Sequence, residues 1–121
     1  MRIAIIGAGC SGLSAIKQLA AAGLKDIVCY EKNDHIGGNW VYTANSSHSS
    51  ISKTTHVISS KAMSQFSDFA MPEDYPDYPS HKQILAYFQA YARHFQLEKY
   101  IHFNATVLHV EKTTNERWRL S

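Results

Sequence analysis

The chain opens on a strand that must turn almost at once into a helix. Arg2-Ile3-Ala4-Ile5-Ile6 is an apolar run, and Gly7-Ala8-Gly9-Cys10-Ser11-Gly12 follows it with the spacing G-x-G-x-x-G. Glycine at 7 permits a tight turn, at 9 it lets backbone N–H groups approach a pyrophosphate, and at 12 it lets helix and strand pack closely. Phosphates on such a turn lie at a helix N-terminus, where unpaired N–H groups and the positive dipole end favour anions. Leu13, Ile16 and Ala20 share one helical face, and Gly23 stands where a left-handed residue ends a helix. Ile27-Val28-Cys29-Tyr30 reads as a second buried strand ending on Glu31. An acid about twenty residues past the last fingerprint glycine is placed for the hydroxyls of an adenosine ribose, and its charge repels a 2′-phosphate. The expected ligand is FAD or NAD rather than NADP. The plainer alternative is an ordinary βαβ crossover with a glycine turn.

Composition narrows the rest. A chain of 121 residues, 45% of them hydrophobic, suits one small domain with a core. With 18% charged residues, a net charge of +2 and no Lys/Arg run, nucleic acid is not an expected partner. No apolar stretch has the length of a membrane span, and Ile3 to Ile6 lacks the following apolar region and cleavage site of a signal peptide. A cytoplasmic protein is expected. Cys10 and Cys29 have no C-x-x-C spacing and read as reduced and structural. The seven histidines include no H-x-x-x-H pair, so no metal site is expected.

After Glu31, Lys32-Asn33-Asp34-His35-Ile36-Gly37-Gly38-Asn39-Trp40 is a polar turn leading to two glycines and an aromatic. It reads either as a connecting loop with the Trp on the core or as a second close approach of backbone to a cofactor. Thr43 to Ser60 is rich in Ser, Thr, Asn and His and reads as a flexible loop. Phe66-Ser67-Asp68-Phe69 and the stretch Met71 to Pro79 interleave aromatics with prolines and read as irregular but packed. Ser80-His81-Lys82-Gln83 has the form of a capping box, with Ile84, Phe88, Tyr91 and Phe95 on one helical face. Tyr100 to Phe103 suggests a third sheet strand. Thr106 to Lys112 and Arg117 to Leu120 suggest two more around a Thr113-Thr114-Asn115-Glu116 turn.

Taken in order, the fingerprint, Glu31, Gly37-Gly38-Asn39-Trp40, Ser59-Ser60-Lys61, Phe66-Ser67-Asp68-Phe69 and the capped helix make the chain resemble the N-terminal part of the flavin-containing monooxygenases over nearly its whole length. The resemblance implies an α/β, Rossmann-like FAD-binding domain of the glutathione-reductase-like two-dinucleotide flavoprotein fold, occupying residues 1–121 and incomplete at the C-terminus. It implies FAD here and NADPH in a second domain outside this chain. In such enzymes NADPH reduces the flavin, dioxygen adds to give a C4a-hydroperoxyflavin, and a soft nitrogen or sulfur nucleophile takes the distal oxygen, the cofactor carrying the chemistry. Gly7, Ala8, Gly9, Cys10, Ser11 and Gly12 would hold the FAD pyrophosphate. Glu31, with Lys32 beside it, would hold the ribose, Asn39 and Trp40 would line the cofactor, and Ser59 would approach the flavin ring. Where amine-oxidising members carry an asparagine near the flavin and NADP⁺, this chain has Ile58, which can neither donate nor accept a hydrogen bond. No catalytic residue is assigned.

A second G-x-G-x-x-G does not occur in these residues. The isolated chain is therefore expected to be catalytically silent, and to self-associate through an unpaired sheet edge. Two alternatives stay open: another FAD-dependent oxidoreductase, of the amine oxidase or disulfide reductase type, and a non-catalytic nucleotide-binding fragment. Absence of a redox cysteine pair after the first helix argues against the reductase.

Overall fold

Four apolar residues, Ile3–Ile6, form strand β1, and helix α1, Cys10–Ala21, begins three residues beyond them. So short a connection works because Gly7 takes a φ of +91°, which a residue with a Cβ rarely adopts. Helix α1 ends as its sequence suggests. Gly23 is left-handed at +87°, its N–H bonds to Ala20 O at 3.0 Å, and the N–H of Leu24 reaches back to Leu19 O at 3.1 Å, the two bonds of a Schellman cap.

The chain then returns as β2, Ile27–Tyr30, parallel to β1 in the register Ile3↔Ile27 to Ile6↔Tyr30. Strand β3, Ile101–His102, pairs parallel with the other side of β2 at Cys29↔Ile101 and Tyr30↔His102. The sheet order is β1-β2-β3. Leu13 and Ile16 of α1 are buried with Ile27, Cys29 and Ile101 of the strands, the apolar layer between helix and sheet. A parallel sheet entered through a glycine turn and a helix crossover is the Rossmann-like arrangement expected from the sequence.

The computed structural model describes residues 1–44 and 50–121; Asn45 to Ser49, within the expected flexible loop, lie outside the described residues. The chain divides into two units, Met1–Ile36 with Lys99–Ser121, and Gly37–Glu98. The first holds the sheet, α1 and an antiparallel hairpin of β4, Val110–Lys112, and β5, Trp118–Leu120. Two expectations are corrected here. Strand β3 is two residues long rather than four, and β4 starts at Val110 rather than Thr106. Val110 faces Leu120, and upstream of it the regular ladder is lost as the N–H groups of Leu108 and His109 both converge on Ser121 O.

In the second unit, a single turn α2, Lys61–Ser64, precedes helix α3, His81–His94. Both bonds of the expected capping box are present: Gln83 N–H to Ser80 Oγ at 3.3 Å and Ser80 N–H to Gln83 Oε1 at 2.9 Å. The helix stops at His94, with Phe95 as its cap residue. The serine-threonine segment leading to α2 was expected to be flexible, yet its described part is tied down. His81 N–H bonds to Thr55 O, Val57 N–H to Pro79 O, and His56 bridges Ser80. Long-range backbone pairing of this kind leaves no mark in local composition.

Phe66 and Phe69 pack on Tyr87, Tyr91 and Phe95, with ring centroids 4.4–6.0 Å apart. The Tyr87 hydroxyl accepts the Phe66 N–H at 2.9 Å and donates to Phe69 O, closing the loop over the helix. Tyr87→Phe is expected to lower the free energy of unfolding by about 2 kcal/mol, since two half-buried backbone groups lose their partner. Tyr78→Phe, at a position 54% exposed, should change it by less than about 0.5 kcal/mol. Equal effects of the two in urea titrations would show that the hydroxyl bridge carries no stability.

Candidate functional site

The turn after β1 and the first residues of α1 present the backbone in two opposite ways. Cys10, Ser11 and Gly12 precede the first i→i−4 bond of α1, Leu13 N–H to Gly9 O at 3.0 Å, and no side chain caps that helix start. Helix α3 closes the same requirement with Ser80 and Gln83, and the start of α1 has no side-chain counterpart. No acidic residue stands in the first turn of α1 to repel an anion. Ala8 faces the other way: it is fully buried, and its N–H donates to Glu31 Oε2 at 2.8 Å.

Glu31 is 4% exposed at the end of β2. Its Oε1 accepts the Asn33 N–H at 2.8 Å, its own N–H donates to His102 O, and its C=O accepts from Ala105 N–H, both at 2.9 Å. Each carboxylate oxygen thus has one bond from backbone and a further lone-pair direction for a hydroxyl donor. Lys32, next in the chain, is exposed.

Beneath the turn, Cys29 Sγ donates to Gly7 O at 3.4 Å. Burial, with the Glu31 charge adding to it, pushes the Cys29 thiol up to about 11, and burial also raises Cys10. Both cysteines are free, as the sequence suggested, and neither is a thiolate nucleophile at neutral pH. Gly12 has no room for a side chain: a Cβ there would lie 1.9 Å from Gly7 O.

Asn39, Trp40, Ile58 and Ser59 belong to the second unit. Asn39 is exposed and Trp40 half-buried on a 3₁₀ turn, Gly38–Trp40, entered by Gly37 at a φ of +118°. The space freed by Gly37 is used by protein: a Cβ there would meet Leu85 Cδ1 of α3 at 2.4 Å and Val41 Cγ2 at 3.0 Å. Ser59 is exposed and its hydroxyl bonds that of Ser64, while Ile58 is 97% exposed. Two contributors escaped the sequence reading. Cys29 and Asn33 act through a thiol and a backbone N–H, for which residue type alone gives no signal. Among the described residues no group of three or more His, Cys, Asp or Glu side chains could hold a metal ion, and no helix is long and apolar enough to cross a membrane.

A parallel sheet, a glycine turn into an uncapped helix and an acid at the end of the second strand define an α/β chain of the Rossmann-like class. Residues 1–118 match the family described as flavin-binding monooxygenase-like, and the chain belongs to that family. It is 42% identical to flavin-containing monooxygenase 5 of Rattus norvegicus and of Homo sapiens over 98% of its length, which is 23% of theirs. It thus spans about a quarter of the curated relatives it matches. Among solved structures, S-allyl-L-cysteine S-oxygenase from Allium sativum superposes with a TM-score of 0.87 at 26% identity, over 98% of this chain and 31% of that one. An ε-caprolactone-bound cyclohexanone monooxygenase gives 0.83 at 20% identity, over 99% and 23%, a likeness of fold.

Proposed function

We propose that this chain is the FAD-binding part of an NADPH-dependent flavin monooxygenase that oxygenates soft nitrogen or sulfur nucleophiles. The observation that carries the reading is the pairing of an uncapped helix start, whose N–H groups suit a diphosphate, with the acid that ends β2. The family and the 42% identity to flavin-containing monooxygenases support FAD as the dinucleotide, and a neighbour described as a steroid monooxygenase bound to NADP supports the second nucleotide. FAD held here would supply the redox chemistry of a monooxygenase, in which two electrons from NADPH and one molecule of dioxygen yield an oxygenated nucleophile and water.

The residues here do the holding. Cys10, Ser11 and Gly12 offer backbone N–H groups to the pyrophosphate, with Gly9 keeping the approach open. Glu31 takes the ribose, and Lys32 lies at the rim. Asn39, Trp40 and Ser59 are assigned to the cofactor by the family resemblance alone. Ile58, which can neither donate nor accept a hydrogen bond, stands where amine-oxidising members have an amide, which weakens amine N-oxygenation. The nicotinamide nucleotide is held by residues other than these 121, and an unpaired sheet edge is the contact through which the isolated chain would associate.

Gly9 sits at φ −79° and ψ −171°, extended backbone that any residue adopts, so substitution there brings no backbone strain. Gly9→Val is expected to weaken binding of ADP or FAD at least tenfold, measured by calorimetric titration of the apo protein. Unchanged affinity would mean that the turn does not face a pyrophosphate.

A further inference from the structure

We infer that Glu31 is a positioning residue for the phosphate turn, gripping the Gly7–Ala8 peptide so that the amides beyond it face an anion, whether or not a ribose is present. The inference rests on the dinucleotide reading and deepens it. The C=O of Gly7 and the N–H of Ala8 belong to one peptide plane, and that plane is held at both ends. Its oxygen accepts from Cys29 Sγ at 3.4 Å, and its N–H donates to Glu31 Oε2 at 2.8 Å. A trans peptide points these groups in opposite directions, so the two bonds together fix its rotation. Gly7, at φ +91°, is the one residue of the turn whose conformational freedom would otherwise let that plane rotate.

The carboxylate is a fixed post. Its Oε1 is tied to Asn33 N–H, its backbone is bonded on both sides to His102 and Ala105, and Asn104 N–H donates to Asn33 O at 3.0 Å. The turn therefore follows Glu31, not the reverse. Electrostatics alone would make the opposite demand, since a carboxylate near a diphosphate repels it. Glutamine at this position removes that charge while keeping the size of the side chain. Its amide can accept one of the two N–H groups but presents its own NH₂ to the other.

The test compares ADP with 2′,3′-dideoxy-ADP, which keeps the diphosphate and lacks the ribose hydroxyls, by calorimetric titration of the apo protein and its Glu31→Gln variant. Positioning predicts that Glu31→Gln binds dideoxy-ADP about tenfold more weakly, the worth of one hydrogen bond to a charged group. Dideoxy-ADP affinity that is unchanged, as ribose recognition alone requires, or tighter, as charge repulsion alone requires, overturns the inference. An unsubstituted protein that bound neither nucleotide would remove the dinucleotide reading itself, a distinguishable failure. Amide hydrogen exchange separates positioning from general unfolding. In the variant the Ala8 amide should lose its protection while those of β2 keep theirs. In the unsubstituted protein an Ala8 amide exchanging as fast as an open loop would also sink the inference, even if the variant did not fold.

Discussion

Gly12→Ala is expected to destabilise the protein by about 3 kcal/mol, the upper end of what an overpacked interior costs. The added Cβ would stand 1.9 Å from Gly7 O, 3.0 Å from Gly7 C and 3.7 Å from Ile5 Cγ2. The first two are backbone atoms, so no rotamer change relieves the clash, and α1 must lift from β1 by more than an ångström. With a urea dependence of about 1–3 kcal/mol per molar, the midpoint should fall by about 1 M or more. Gly23→Ala is the informative control: nothing lies within 4 Å of a Cβ there, but the residue sits at φ +87°, so it should cost only the conformational strain of about 1 kcal/mol. If Gly12→Ala were as mild as Gly23→Ala, helix and strand would have to lie farther apart than the geometry places them.

Alkali should destabilise the protein through one thiol. Cys29 is wholly buried and holds its proton to about 11 against an ordinary value of 9.0, because burial and then the Glu31 charge disfavour the thiolate. Above pH 9 the unfolded chain gives up this proton while the folded one retains it. The folded state then binds more protons and stability falls with rising pH. The contribution is fully present below about pH 9 and is lost by about pH 11, on the order of 3 kcal/mol across two pH units. Denaturant titrations between pH 8 and 11 should show a steep decline in the native protein and a shallower one in Cys29→Ala. Parallel declines would assign the loss to other groups. Because the same thiol holds Gly7 O only while protonated, ADP affinity of the folded protein should weaken only as that thiol itself ionises, near and above pH 11.

Much of the first unit is legible because its signals are local. The glycine spacing, the face of Leu13 and Ile16, the left-handed Gly23 and the terminal Glu31 each act within a few residues of themselves, and the capping box of α3 does likewise. What was not legible depends on partners far along the chain. Strand β3 is short because the chain enters it straight from a 3₁₀ turn, Glu98–Tyr100, so that only Ile101 and His102 reach Cys29 and Tyr30 of β2, and β4 is defined by its pairing with Trp118–Leu120. Gly37 follows the same logic: its sequence context suggests room for a cofactor, but Leu85 of α3 uses that room, a contact across tens of residues. In the site, the residue types were readable and their bonds were not. Glu31 suggests a ribose, whereas its grip on the Ala8 and Asn33 amides is visible only in three dimensions.

The strand order has a consequence for how the chain acquires its fold. Pairing of β1 with β2 closes a short loop through α1, but pairing of β2 with β3 must wait until the entire second unit lies between them in sequence. Closing a longer flexible loop costs only about 0.6 kcal/mol per doubling, yet that cost precedes any contact it brings. A second unit that has already condensed shortens the effective loop. The order of events during synthesis should therefore be the βαβ hairpin first, the aromatic unit next, and the third strand after both, so that Glu31 receives its anchors from His102 and Ala105 only once the whole second unit has been synthesised.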